Sequence, residues 1–201
     1  MSRTASNGAG DGAGFVRIIG GEWRRRRLAV TPIAGLRPTG DRIRETLFNW
    51  LAPSLPGARC LDLFAGTGSL GFEAASRGAA NVVMVERDAL AARALRDNAA
   101  TLDAAQVEII QAEAGNWLAG ATQYFDIVFL DPPFADTILS KICFQLDQGW
   151  LVRGARVYLE HSAQCEPVLP AGWQLERTKK IGRVKFALAE IRGGDYEYKR
   201  V

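Results

Sequence analysis

The chain has 201 residues, 48% of them hydrophobic and 23% charged, with a formal net charge of +3. That length supports one domain with an ample core and no need of staples, the composition is ordinary for a globular protein, and so small a net charge says little about partners. The three widely spaced cysteines (Cys60, Cys143, Cys165) exclude a disulfide framework, and the single His161 excludes a His-rich metal centre. No stretch is apolar and long enough for a bilayer span or a secretory leader, so a reducing cytoplasm, no membrane partner and no metal are expected.

Met1–Gly14 is Gly, Ser, Ala and Asn without periodicity and reads as a disordered tail. Phe15–Val30 reads as two short strands around Gly20-Gly21, the second carrying Arg24, Arg25, Arg26 and Arg27 behind Trp23. From Phe15 to Trp50 there are eight arginines against three acids. An exposed arginine ladder beside an aromatic suits phosphate contacts and base stacking; a charged edge strand that blocks aggregation fits the same residues. Leu36-Arg37-Pro38-Thr39 leads into a helix from about Asp41 to Leu51. Its apolar face is expected to hold Ile43, Leu47, Trp50 and Leu51, with Arg42, Arg44 and Asn49 off that face.

The stretch Cys60–Gly78 passes from a buried-type run (Cys60, Leu61, Leu63, Phe64) through Gly66, Gly68 and Gly71 into a helix over Phe72–Arg77, closed by Gly78. Glycines at a helix start expose backbone N–H groups to a close anionic ligand, which points to a nucleotide-type cofactor. Gly66 to Gly71 satisfies the dinucleotide spacing G-x-G-x-x-G. With Asp62 it also satisfies the looser D-x-F-x-G-x-G of methyltransferases that use S-adenosylmethionine (SAM), whose ammonium group suits a carboxylate there.

Alternation follows. Asn81–Glu86 reads as a strand, Asp88–Leu102 as a helix capped by Asp88, Val107–Gln111 as a strand, and Trp117-Leu118 as a short helical or loop segment. Tyr124–Leu130 is a strand running into Asp131-Pro132-Pro133-Phe134; Asp136–Leu146 is a helix and Arg156–Glu160 a strand. Repeated β-then-α units argue a parallel sheet with helices on both faces. Trp173–Lys180 and Arg183–Ile191 break the pattern as a hairpin around Gly182.

In such a sheet ligands bind beyond the carboxyl ends of the strands, where Asp62, Glu86, Glu113 and Asp131 fall. Glu86 suits a pair of ribose hydroxyls in either NAD or SAM. The loop Asp131–Phe134 favours SAM: two prolines fix an extended loop in which the Asp131 carboxylate and the Pro132 carbonyl accept from one exocyclic amine, and Phe134 stacks on a base taken out of its helix. A rigid turn with a core Phe is the plain structural alternative.

Taken together, Arg17–Gly21 (RIIGG), Leu36–Thr39 (LRPT), Arg44–Leu51 (RETLFNWL), the glycine unit and Asp131–Phe134 (DPPF) make the chain resemble the RsmD family, class I methyltransferases acting on a guanine N2 of small-subunit ribosomal RNA. The resemblance covers roughly residues 15–191. It implies a Rossmann-like α/β fold with a seven-stranded, mostly parallel sheet over residues 39–201, and an RNA-contacting β-hairpin extension over residues 15–38. It implies SAM as cofactor, held by Thr39, Asp62, Phe64, Ala65, Gly66, Gly68 and Glu86. Glu113-Ala114 stands where related enzymes carry Asp or Asn before Ala to bond the adenine amine. Asp131, Pro132, Pro133 and Phe134 would form the target-amine loop, and Arg24–Arg27, Arg37, Arg42 and Arg44 would hold the 16S ribosomal RNA of the small subunit or an assembly intermediate, with the protein a monomer. An amino-methyltransferase acting on adenine N6 or on protein glutamine, a dinucleotide-dependent oxidoreductase and a non-catalytic RNA-binding module are the competing readings.

Overall fold

A computed structural model describes residues 14–31, 39–133 and 138–192; Arg37, Phe134 and the tail up to residue 13 lie outside them. The chain opens with an antiparallel hairpin, β1 (Gly14–Arg17) and β2 (Arg27–Val30), then helix α1 (Asp41–Leu51). There follow β3 (Arg59–Asp62), α2 (Gly71–Ser76), β4 (Asn81–Glu86), α3 (Ala89–Leu102), β5 (Val107–Gln111), α4 (Ala114–Trp117), β6 (Phe125–Leu130), α5 (Ile138–Leu146), β7 (Leu151–Ser162), β8 (Trp173–Ile181) and β9 (Val184–Ile191).

Strands β3 to β9 form one seven-stranded sheet in the order β5-β4-β3-β6-β7-β9-β8. The pairs from β5 through β7 are parallel, and β9 joins both β7 and β8 antiparallel, as the hairpin at Gly182 predicts. Side chains alternate between two cores, as the period of a strand requires. Cys60, Val82, Met84, Ile127, Phe129 and Tyr158 pack with α1, α2 and α3 on one face. Leu61, Val83, Val85, Val128, Leu130 and Val157 pack with α4 and α5 on the other. The chain walks outward from β3 to β5, then returns to β6 on the other side of β3. The carboxyl ends of β3 and β6 therefore flank the switch point at which such sheets open a crevice.

Strand β7 begins at Leu151, earlier than the expected Arg156, and its pairing with β6 shifts register between Phe125 and Ile127. Gly154, at φ +82°, sits within that irregular start, so no two-residue alternation marks it. Gly14 is paired with Val30 and belongs to the hairpin, not to the tail. In α1 the buried residues are Ile43, Arg44, Leu47, Phe48 and Leu51; Trp50 is partly exposed and stacks on Phe186 at 5.6 Å.

The arginine cluster is arranged differently from the expected ladder. Only Arg27 lies in a strand. Arg24, Arg25 and Arg26 occupy the connection, which turns tightly through Arg25 at φ +72° and is tied by Arg25 N–H to the Ile18 carbonyl and Arg26 N–H to the Trp23 carbonyl. Trp23 is buried in the core and cannot stack on a base; the exposed aromatic is Phe15, with the Arg27 guanidinium 4.2 Å from its ring centre.

The hairpin is bonded to α2 and α3. Glu73, fully buried, accepts from Ile19 N–H and Gly20 N–H, each at 2.8 Å. Ser76 Oγ accepts from Trp23 N–H and donates to the Gly20 carbonyl, while Glu22 N–H donates to the Ser76 carbonyl. Gly21 has φ +77°, and a Cβ there would stand 1.8 Å from the Ser76 carbonyl oxygen, so backbone meets backbone directly. Asn98 accepts from Ala29 N–H and donates to its carbonyl, as a neighbouring strand would. These contacts are the physical content of the RIIGG stretch.

Candidate active site

Asp62 ends β3 and is only 1% exposed. Its Oδ2 accepts from Gly71 N–H at 3.0 Å, at the start of α2, and its Oδ1 has no hydrogen-bond partner. Burial pushes its carboxyl up to about 7; the Gly71 and, more weakly, Phe64 amides oppose this, and the charges of Asp131 and Glu86 add to it. A buried carboxylate oxygen without a donor is costly, and an ammonium group supplies both the missing donor and the opposing charge.

The glycine loop is shaped by its own core as well as by ligand approach. Gly66 (φ +53°) and Gly68 (φ +76°) turn the chain. A Cβ at Gly68 would stand 2.6 Å from the Phe72 and Leu95 side chains, and one at Gly71 would stand 2.4 Å from Met84 Cε. Phe64 packs partly exposed against the α4–α5 core, and Ala65 is buried with its N–H on the Val85 carbonyl. Glu86, at the end of β4, accepts from Gly66 N–H and Asp88 N–H, both at 2.8 Å. It thereby joins the loop to the start of α3, where Asp88 caps the helix as expected.

Glu113 follows β5 and caps α4, its Oε2 accepting from Asn116 N–H at 2.9 Å; Ala114 is buried beside it. The bond that the structure shows for Glu113 is thus a helix cap.

Asp131 follows β6 at the crevice mouth. Thr39 Oγ1, just ahead of α1, donates to Asp131 Oδ2 at 2.7 Å across 92 residues of sequence. Burial pushes the Asp131 carboxyl up to about 6, against the Thr39 hydroxyl. Pro132 is buried and Pro133 exposed, so the loop is anchored at one proline and open at the next. Asp131, Asp62, Glu86 and Thr39 thus meet at the switch point.

Two residues of this neighbourhood were not singled out in the sequence. Glu160, 5% exposed near the end of β7, accepts from the Tyr158 hydroxyl at 2.6 Å. Burial, then the Asp131 charge, pushes its carboxyl up to about 7, and the same surroundings push the Tyr158 phenol well above its usual value. The signal was present: Tyr-Leu-Glu closes an apolar strand with an acid, as Val-Val-Met-Val-Glu does in β4.

Arg24, Arg25, Arg26, Arg27 and Arg42 are exposed, although Arg26 donates to the Thr101 carbonyl at 3.0 Å. Arg44 is not available to a nucleic acid. It is 1% exposed, donates to Asp41 Oδ1 at 2.6 Å and to the Arg17 carbonyl at 2.9 Å, and lies 3.6 Å from Glu73. Its charge is spent inside the hairpin seam. Among the described residues no acid, histidine and cysteine group could hold a metal, and no helix is long and apolar enough to cross a membrane.

Comparison with known proteins bears on what this geometry is for. The family described as "Conserved hypothetical protein 95" matches residues 16–190. The chain is 46% identical over 179 residues to ribosomal RNA small subunit methyltransferase D of Escherichia coli, covering 88% of this chain and 90% of that one. Among solved structures, the Escherichia coli methyltransferase yhhF superposes with a TM-score of 0.84 at 42% identity, covering 89% of this chain and 99% of the other. An RNA methyltransferase of Salinibacter ruber, solved with S-adenosyl-L-homocysteine, shares the fold at 21% identity and a TM-score of 0.59, over 81% of this chain and 98% of that one.

Proposed function

The chain belongs to the conserved hypothetical protein 95 family, the RsmD methyltransferases, and from that premise we propose that it moves a methyl group from SAM to the exocyclic N2 of a guanine in 16S ribosomal RNA. The observation that carries this reading is the pairing of two acids across the switch point: Asp62 with an unpartnered buried oxygen, and Asp131 held by Thr39 beside the two prolines.

Asp62 takes the cofactor's ammonium group. Gly66, Gly68, Phe64 and Ala65 line its methionine end, and Thr39 lies beside the reacting centre. Glu86 keeps spare acceptor lone pairs for the ribose hydroxyls while holding Gly66 N–H and Asp88 N–H. Glu113-Ala114 borders the adenine. When bound, SAM supplies an electrophilic methyl on a positively charged sulfur.

The Asp131 carboxylate and the Pro132 carbonyl accept the two N2 hydrogens, which draws the nitrogen lone pair out of the ring and aims it. Phe134 stacks on the extruded base. Bound SAM would supply the methyl and keep the departing electron pair on its sulfur, and Asp131 would accept the proton that N2 gives up. A carboxyl raised to about 6 is ionised at neutral pH yet basic enough to take that proton, and its partial exposure lets the proton leave to water.

Arg24, Arg25, Arg26, Arg27 and Arg42, with Arg37, hold the RNA backbone of the small subunit or an assembly intermediate, and the chain acts as a monomer. The test is methyl transfer from labelled SAM to small ribosomal subunits from cells lacking the protein, followed by nucleoside analysis. N2-methylguanosine is expected with wild type, with at least about a hundredfold slower transfer for Asp131→Ala. No N2-methylguanosine from wild type, despite cofactor binding, overturns the reading.

A further inference from the structure

The Tyr158–Glu160 pair is not used by the mechanism above, and its position is specific. In the parallel pairing of β6 and β7, Phe129 stands opposite Tyr158 and Leu130 opposite Leu159, so the next step of that register sets Asp131, just past β6, beside Glu160, still within β7. Phe129 and Tyr158 share the core on the α1 face. Two residues further on, the strand period returns Asp131 and Glu160 to that face, where Thr39 meets Asp131 ahead of α1. Glu160 is also the residue opposite the buried Phe186 on β9, so an aromatic residue flanks it on that side, and on the other the Asp131 charge is near enough to act on its carboxyl. The Tyr158 hydroxyl, donating to Oε2, fixes the carboxylate's rotation.

Two carboxylates abreast at the target loop match one base edge better than another. The Watson–Crick edge of guanine presents N2–H and N1–H as adjacent donors. That of adenine presents a donor amine beside N1, an acceptor, which a second carboxylate would repel. An acid that accepts an amine hydrogen serves any exocyclic amine; an acid beside it that accepts a ring N–H serves guanine.

We propose that Glu160 is the guanine-selecting residue of this site, accepting the N1–H of the target base while Asp131 accepts from N2, with Tyr158 as the positioning residue for Glu160. This rests on the guanine-N2 reading given above and adds the group that makes it selective. A buried acid satisfied by a tyrosine for packing alone would give the same coordinates but not the same substrate behaviour.

2-Aminopurine separates the two. It keeps the amine at C2 but carries an unprotonated N1, so it offers the methylated nitrogen and withdraws the donor that Glu160 reads. Small subunits are reconstituted with 16S ribosomal RNA bearing either guanine or 2-aminopurine at the methylated position, and kcat/KM is measured for the full chain. Wild type is expected to prefer guanine by roughly tenfold to a hundredfold. Glu160→Gln is nearly isosteric. With Tyr158 still donating to its carbonyl oxygen, it turns an amide N–H toward N1, so guanine slows, 2-aminopurine speeds up, and the preference falls by at least about tenfold. Tyr158→Phe, which removes only the hydroxyl, is expected to lower the preference severalfold.

S-adenosylhomocysteine affinity, expected to change less than about twofold, reports that each variant is folded at the cofactor end. An unchanged guanine preference in Glu160→Gln overturns the inference, whether both substrates slow equally or neither slows. So does a wild type indifferent to 2-aminopurine. A wild type that methylates N2 of neither base instead removes the guanine-N2 reading beneath it.

Discussion

Two buried acids in this molecule have opposite surroundings. Glu73, in the seam between hairpin and α2, accepts from the backbone N–H groups of Ile19 and Gly20 and from Arg77 Nε at 2.6 Å, with the Arg44 guanidinium 3.6 Å away. Asp62, at the crevice, has the Gly71 amide on one oxygen, no hydrogen-bond partner within bonding geometry on the other, and two other acids close enough to raise its pKa. A carboxylate that is satisfied and charge-paired holds the fold together. A carboxylate left short of donors at a strand end makes the folded chain alone the less stable, a cost that a bound cation would relieve. Both acids touch the same six-residue helix, Glu73 from within it and Asp62 through the Gly71 amide. The arginine-bearing hairpin and the glycine loop are thus fixed to one element.

The largest effect follows from breaking the satisfied acid. Glu73→Ala leaves the Arg44 guanidinium buried with a single acid, Asp41, and leaves two backbone N–H groups without acceptors. Loss of one partner from a buried ion pair costs about 3–5 kcal/mol. Urea unfolding is expected to show that loss, with the hairpin amides of Ile19 and Gly20 among the first to lose hydrogen-exchange protection. A loss below about 1 kcal/mol would mean that the seam is not a structural ion pair at all.

The unsatisfied acid should respond in the other direction. Asp62, Asp131 and Glu160 stand near 7, 6 and 7 in the folded chain, against about 3.9 to 4.3 for exposed carboxyls of the unfolded chain. Between those values the folded chain binds more protons than the unfolded one. Their contribution to stability is therefore fullest below about pH 4 and is lost as pH rises through 6 to 7. Asp62→Asn removes one such charge. The variant is expected to match wild type in urea near pH 4.5 and to exceed it by about 1–3 kcal/mol at pH 8, while binding SAM at least about tenfold more weakly in calorimetry. Destabilisation at pH 8 would place Asp62 with Glu73 as a structural acid.

The sequence carried much of this, and where it did not the reason is consistent. Strand β4, the Asp88 cap of α3 and the hairpin at Gly182 are local patterns, and each stands where alternation or capping put it. Asp62, Glu86 and Asp131 were legible because an acid closing an apolar run is itself a local signal. Arg44 was misplaced on the solvent side because nothing near it in sequence is its buried acid; Glu73, 29 residues on, reaches it only through the fold. The turn at Arg25 has a positive φ without a glycine to announce it. Glu160 ended an expected strand, yet its meaning lies in the register that sets it beside Asp131.

The smallest effects belong to the exposed arginines, and they sharpen the same contrast between charge that is spent and charge that is free. Arg25 and Arg42 are exposed and Arg27 lies over the exposed Phe15 ring, whereas Arg44 is enclosed by Asp41 and Glu73. An arginine that neutralises an RNA phosphate releases a counterion, so its removal lowers the dependence of log K on log salt by about one and weakens binding without regard to sequence. Arg25→Ala and Arg27→Ala are each expected to do so in filter binding to small-subunit RNA at several salt concentrations, with stability changed by less than about 0.5 kcal/mol. Arg44→Met is expected to do the reverse, lowering stability while leaving the salt slope of the folded fraction unchanged. A reduced slope in Arg44→Met would mean that the seam opens when RNA binds, and its ion pairs would then have to be counted as part of the RNA surface.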